Sequence, residues 1–143
     1  MRRISDPHFA ERVRASFALQ HAMSLIRATL PVVEHGRTEI HLPHWSGVEQ
    51  QHGFVHGGVV GMIADSAAGY AAMTTVPAAA SVLTVEYKMN LVAPADGDHL
   101  LARGRVIRAG RTLIVTQGEV FAVKDGQETL CALMQQTIMT LHG

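Results

Sequence analysis

The stretch from Val59 to Met73 limits what this chain can fold into more than any other. It is apolar almost all the way round, so as a helix it has no face that suits water. Such a helix has to be enclosed, and in a chain of 143 residues the economical enclosure is one sheet wrapped around it. A membrane span is the competing reading. Asp65 within the run, its glycines and its many small residues argue against that.

The flanking sequence supplies the sheet. Ser81 to Val92 alternates, with Leu83, Val85, Tyr87, Met89 and Leu91 on one face and Thr84, Glu86, Lys88 and Asn90 on the other. Pro94 to Asp98 reads as a turn. Leu100 to Arg108 and Thr112 to Lys124 read as strands joined by Ala109-Gly110-Arg111, and Asp125-Gly126 signals a hairpin into Thr129 to Leu141. Ahead of the helix, Gly36 to Pro43 alternates as a first strand. Asp6 to Leu30 reads as one or two short helices from the spacing of Phe9, Val13, Phe17, Leu25 and Ile26, with Ser5 or Asp6 as cap and Pro31 as stop. The expected order is strand, buried helix and four antiparallel strands, an α+β fold in a single domain over 1–143.

Composition narrows the function. Twelve basic and twelve acidic residues give a formal net charge of zero, without the basic excess that a nucleic-acid or anionic-membrane binder needs. Cys131 is the only cysteine, so no intramolecular disulfide forms, and its apolar setting reads as a buried, inert thiol. The N-terminus shows no apolar signal segment, and the cytoplasm is the expected location. His52 with His56, and His41 with His44, are separated by Gly53 and Pro43 in ways that spoil a ligand pair, so no metal is expected. No Gly-x-Ser-x-Gly elbow occurs.

Asp65 is the only formally charged side chain between Glu49 and Glu86. Burying a lone carboxylate costs several kcal/mol unless it is partnered. It is therefore either a structural Asp held by a neighbouring hydroxyl or amide, or a group set up for chemistry. His56-Gly57-Gly58 opens the helix. The glycines allow a ligand close to the backbone, and the first amides of a helix have no partner within it. Those amides can polarise a carbonyl; the plain alternative is a tight turn. An amide-lined oxyanion site with a carboxylate is what acyl transfer to water requires.

The run Gly53-Phe54-Val55-His56-Gly57-Gly58-Val59-Val60-Gly61-Met62-Ile63-Ala64-Asp65-Ser66-Ala67 resembles the signature of hotdog-fold acyl-CoA thioesterases of the phenylacetate-degradation (PaaI-type) branch. Leu83 to Ala95 resembles a strand of that family, and Arg108-Ala109-Gly110-Arg111-Thr112 its strand-connecting turn. The resemblance spans roughly Gly36 to the C-terminus. It implies a homodimer, or a homotetramer of two such dimers, acting on an acyl- or aryl-CoA with no further cofactor. Gly57 and Gly58 of one subunit would donate amides to the thioester oxygen. Asp65 of the other would act as general base or nucleophile. Gln50 stands where relatives often carry an Asn that orients water or the thioester. Thr84 falls where relatives place a hydroxyl near the attacking water, and His56 would shape the loop. Asn90, Arg108, Gly110, Arg111 and Thr112 correspond to positions that hold the pantetheine arm and phosphates of CoA. Arg108 and Arg111 suit phosphate chemistry, with ordinary solvated hairpin charges as the alternative. Trp45 and Phe54 flank the loop and would line an acyl pocket or pack an interface.

Hotdog folds also serve as dehydratases and as acyl-CoA-binding modules. A dehydratase wants a catalytic His paired with an acid, which His56 and Asp65 match poorly. A binding module would leave Asp65 without a catalytic task. No basic extension for DNA is present.

Overall fold

The computed structural model describes residues 3–143. Two short helices, α1 (Phe9–Leu19) and α2 (His21–Ile26), lead into a hairpin of β1 (Thr29–Glu34) and β2 (Arg37–Pro43). The long helix α3 (Gly57–Met73) follows, then β3 (Ser81–Leu91), β4 (His99–Ala109), β5 (Leu113–Lys124) and β6 (Gln127–Leu141). All six strands form one antiparallel sheet in the order β1-β2-β4-β5-β6-β3. The sheet curves around α3, which gives the hotdog architecture.

Small residues let the helix lie close to the strands. Ala64, Ala67 and Ala68 are buried along α3 against Ile40, Leu42, Leu100, Ala102 and Val120, and Ala72 packs with Ile114 and Ile138. At Gly104 the β4 backbone comes so near that an added Cβ would sit 2.4 Å from the Ala67 carbonyl carbon. Thr38 Oγ1 donates to the Ala67 carbonyl at 2.6 Å from the neighbouring strand.

Three features differ from the sequence expectation. The leading helical segment ends at Ile26, where Arg27 turns left-handed at φ 67°, and Thr29 to Glu34 is a strand. Pro31 does not stop a helix; it lies in a strand at the sheet edge, beside a register shift between Thr29 and Val32, where a missing N–H is tolerated. Two strands therefore precede α3. Second, the cap of α1 is His8; Asp6 instead accepts the His8 amide at 2.9 Å. Third, β3 does not alternate throughout. Its register with β6 shifts between Thr84 and Glu86, and this bulge reverses which face each side chain takes. Thr84 consequently shares the helix side with Tyr87 and Met89, both of which approach Gly61.

Asp6 and Arg12 close the far end of α3. Arg12 Nε donates to Asp6 at 2.9 Å, while its Nη2 donates to the carbonyls of Met73 and Val76 at 3.0 Å. The His8 amide and Arg12 hold the Asp6 carboxyl below its ordinary value of 3.8. A depressed native pKa stabilises the fold above the unfolded value, and the effect is lost as pH falls through the native one. Asp6→Asn should therefore lower the melting temperature at pH 7, and by progressively less as pH falls below the ordinary value of 3.8, as thermal melts across that range would show.

Candidate active site

His56 is the N-cap of α3, and its Nδ1 accepts the Gly58 amide at 2.8 Å. Gly58 has no Cβ to obstruct that ring; one would lie 2.9 Å from Nδ1. Capping by His56 engages the Gly58 amide, one of the two donors expected for a substrate carbonyl. Among the described residues the Gly57 N–H, at the first helical position, has no partner. The preceding loop is anchored by Val55 N to the Ala95 carbonyl at 3.0 Å and His56 N to the Val48 carbonyl at 2.9 Å. Gln50 folds back on this loop, its Oε1 accepting the His52 amide.

Asp65 lies half-buried on the same helix. Thr84 Oγ1 donates to its Oδ1 at 2.8 Å, and Gln136 Nε2 donates to the same oxygen. Gln136 is 1% exposed, and its Oε1 accepts from the fully buried Thr116 at 2.9 Å. Oδ1 is thus fixed by two donors. Oδ2 has no side-chain donor among the described residues, and Asp65 lines a cavity of about 400 Å³. That cavity runs from Thr84 and Ser81 past Ser66 and Gly69 to Gln20 and Tyr70. A cavity-lining carboxylate with one oxygen held and the other without a side-chain donor can take a proton or attack.

The structure brings Asp65 and Thr84 together and holds Gly57, Gly58, His56 and Gln50 at the other end of the helix. Eight residues separate Gly57 from Asp65, about 12 Å of helix. The positions matched to a CoA site divide likewise. Asn90 pairs with Leu133, which pairs with Glu119, whereas the Arg108–Thr112 turn adjoins Leu113. Six residues of β5 separate these ends, about 20 Å. Arg108 lines a small cavity with His35 and Thr75. Gly110 and Arg111 line another, of about 320 Å³, with Arg3, His35 and His142. The Thr112 carbonyl accepts the Thr140 amide at 2.7 Å.

Trp45 lies outside the Asp65 cavity: its Nε1 donates to the Ile26 carbonyl at 2.9 Å and its ring carries the Arg27 guanidinium 3.8 Å from its centroid. Cys131 is fully buried, and burial pushes its thiol up to about 11. Among the described residues no helix is long and apolar enough to cross a membrane.

Gln136 and Thr116 were not among the expected site residues. Their signal was parity: both take inward positions of alternating strands where an apolar side chain is the rule.

Comparison with known proteins identifies the family and the fold. The model of the thioesterase superfamily matches residues 52–129, and the chain belongs to that family. A thioesterase family protein from Silicibacter pomeroyi is 41% identical, with a TM-score of 0.93 over 94% of this chain and 99% of that one. A Saccharolobus solfataricus protein provisionally named an esterase is 33% identical over 95 residues, 66% of each chain, so this chain spans about two thirds of that relative. A Bacillus halodurans protein crystallised with CoA shares the fold at 23% identity, TM-score 0.77, over 93% of this chain and 85% of that one.

Replacing Gln136 with Leu removes the donor to Asp65 and leaves the Thr116 hydroxyl without its acceptor. It should destabilise the protein by about 1–3 kcal/mol, read from the urea midpoint. Combined with Asp65→Asn the loss should be less than the sum of the two.

Proposed function

We propose that this protein is an acyl-CoA thioesterase of the PaaI-type branch, hydrolysing an acyl- or aryl-CoA to the free acid and CoA. The observation that carries the reading is the Asp65 carboxylate, its Oδ1 fixed by Thr84 and Gln136, in the lining of the cavity. The CoA carrier is supported by a fold neighbour crystallised with CoA and by the arginines of the β4–β5 turn, which suit phosphate.

Within one chain the Gly57 amide and Asp65 are too far apart to act on one thioester. The site is therefore proposed to combine two copies. β3 supports this: it is a free edge of eleven residues with Leu83, Val85, Tyr87 and Leu91 exposed, and a long apolar edge invites pairing. The opposite edge, β1, is short and carries Pro31. Antiparallel β3–β3 pairing about a two-fold axis sets the Gly57 end of one copy beside the Thr84 and Asp65 end of the other. A further pairing into a tetramer is supported by the outward row Leu83, Met139 and Leu113, exposed to 60%, 37% and 50%. The cytoplasm remains the proposed location.

In the proposed reaction the Gly57 N–H donates to the thioester oxygen as it gains negative charge. The Gly58 amide joins only when the His56 ring moves aside. Asp65 of the other copy either takes the proton from an attacking water and passes it to the CoA sulfur as the C–S bond breaks, or attacks the carbonyl carbon itself and displaces the CoA thiolate, which is protonated from solvent. The second route leaves a mixed anhydride on Asp65, and water hydrolyses it to the free acid and the regenerated carboxylate. Thr84 and Gln136 keep the carboxylate in one orientation.

Thiol release from phenylacetyl-, benzoyl- and hexanoyl-CoA tests this. Asp65→Asn preserves shape and should lower kcat by about a hundredfold or more. Wild type that binds these thioesters without turning any over would indicate an acyl-CoA-binding module instead.

A further inference from the structure

Between the end of β2 and the start of α3 the chain makes an excursion that buries little apolar surface. Glu49 and Val55 form an isolated bridge. The His56 amide donates to the Val48 carbonyl at 2.9 Å, and the Gln50 amide to the Phe54 carbonyl at 2.8 Å. Gln51, His52 and Gly53 at the tip are exposed. A hairpin this short is marginal in water, and a segment with few buried contacts opens locally at low free energy. Yet it runs directly into Gly57, whose N–H the proposed reaction sets on the thioester oxygen. An oxyanion donor acts through its fixed position, so the excursion needs a tie beyond its own hydrogen bonds.

His44 is such a tie. It follows Pro43 at the end of β2; its backbone N–H donates to the Asp98 carbonyl at 3.1 Å, and its side chain is 13% exposed. Its Nε2 lies 2.9 Å from Glu49 Oε2 and 3.0 Å from the Gly53 carbonyl oxygen. A carbonyl only accepts, so Nε2 carries the hydrogen and shares it between the two oxygens. Glu49 stands on the outgoing limb and Gly53 on the returning one. One ring therefore clamps both limbs. Among the described residues no other side chain from outside the excursion bonds to Glu49–Phe54. Nδ1 is buried and has no partner among those residues, so the ring's polar contacts are those of Nε2 alone.

We infer that His44 is a positioning residue for this site: it clamps the Glu49–Val55 excursion and, through the return to His56, keeps the Gly57 amide where the oxyanion forms. This deepens the thioesterase reading above and rests on it. His44 touches no substrate, and both of its side-chain contacts lie within one chain.

The test compares His44→Gln, whose amide nitrogen can stand in for Nε2 as a donor, with His44→Leu, which keeps bulk and loses the donor. The substrate is whichever of phenylacetyl-, benzoyl- and hexanoyl-CoA the wild type hydrolyses fastest. His44→Leu should lower kcat by about tenfold with KM little changed, because the oxyanion contact tightens in the transition state. Its amide hydrogen exchange should quicken over residues 49–56 and stay as in wild type across the sheet. His44→Gln should restore both. Glu49→Ala, an exposed change that disturbs no packing, should lower kcat less and add nothing to His44→Leu. Wild-type kcat in His44→Leu, a loss that His44→Gln does not restore, or faster exchange throughout the protein would overturn the inference while hydrolysis itself stands. Absence of wild-type turnover on every thioester would overturn the inference together with the reading beneath it.

Discussion

Asp65 terminates a chain of hydrogen bonds that starts inside the sheet. Thr116 donates to Gln136, Gln136 donates to Asp65, and Thr84 donates to the same carboxylate oxygen. The apolar helix requires enclosure, but a carboxylate two turns into it requires that enclosure to be polar at one spot. Three strands meet that requirement: β5 supplies Thr116, β6 supplies Gln136 and β3 supplies Thr84. The bulge after Thr84 is part of the same arrangement, since uninterrupted alternation along β3 would place Thr84 opposite Tyr87 and away from the helix.

The same helix divides the chemistry. Its N-terminus holds at Gly57 an amide without a partner among the described residues, and its middle holds the carboxylate, about 12 Å away. In the proposed dimer the two-fold axis converts this separation into proximity, because each copy's amide end meets the other's carboxylate. The exposed apolar edge of β3 is then the element that both hides its own side chains and completes two sites. The arginines of the β4–β5 turn and Asn90, about 20 Å apart in one chain, belong to one ligand only in such an assembly.

Much of this was legible in the sequence because it follows from period and punctuation. The all-apolar helix, the glycines before it, Asp65 within it and the Asp125-Gly126 hairpin each carry a local signal. What escaped depends on register. β1 was hidden because Pro31 reads as a stop, although an edge strand tolerates it. The β3 bulge has no proline or glycine to announce it, so Thr84 read as facing away from the residues it joins. Gln136 looked like any polar residue of an alternating strand, and only the pairing of β5 with β6 turns it inward beside Thr116. The His56 cap on Gly58 was equally silent, since a tripeptide does not tell which amide its ring will take.

The central claim is that one catalytic site needs Asp65 from one chain and the Gly57 amide from another. Gly57→Pro removes that N–H at the first helical position, a position that suits proline's fixed φ; only the end of the Leu91 side chain, 2.9 Å from the added Cβ, has to shift, and His56 already has an extended backbone with ψ 135°, as a residue before proline prefers. The decisive measurement is thioester hydrolysis by Gly57→Pro and Asp65→Asn chains, first separately and then after they are unfolded and refolded together. Each alone should be inactive, and the mixture should recover about a quarter of wild-type activity, because half the random dimers are mixed and each holds one intact site. No recovery despite mixed dimers, or full activity of Gly57→Pro by itself, would contradict the account.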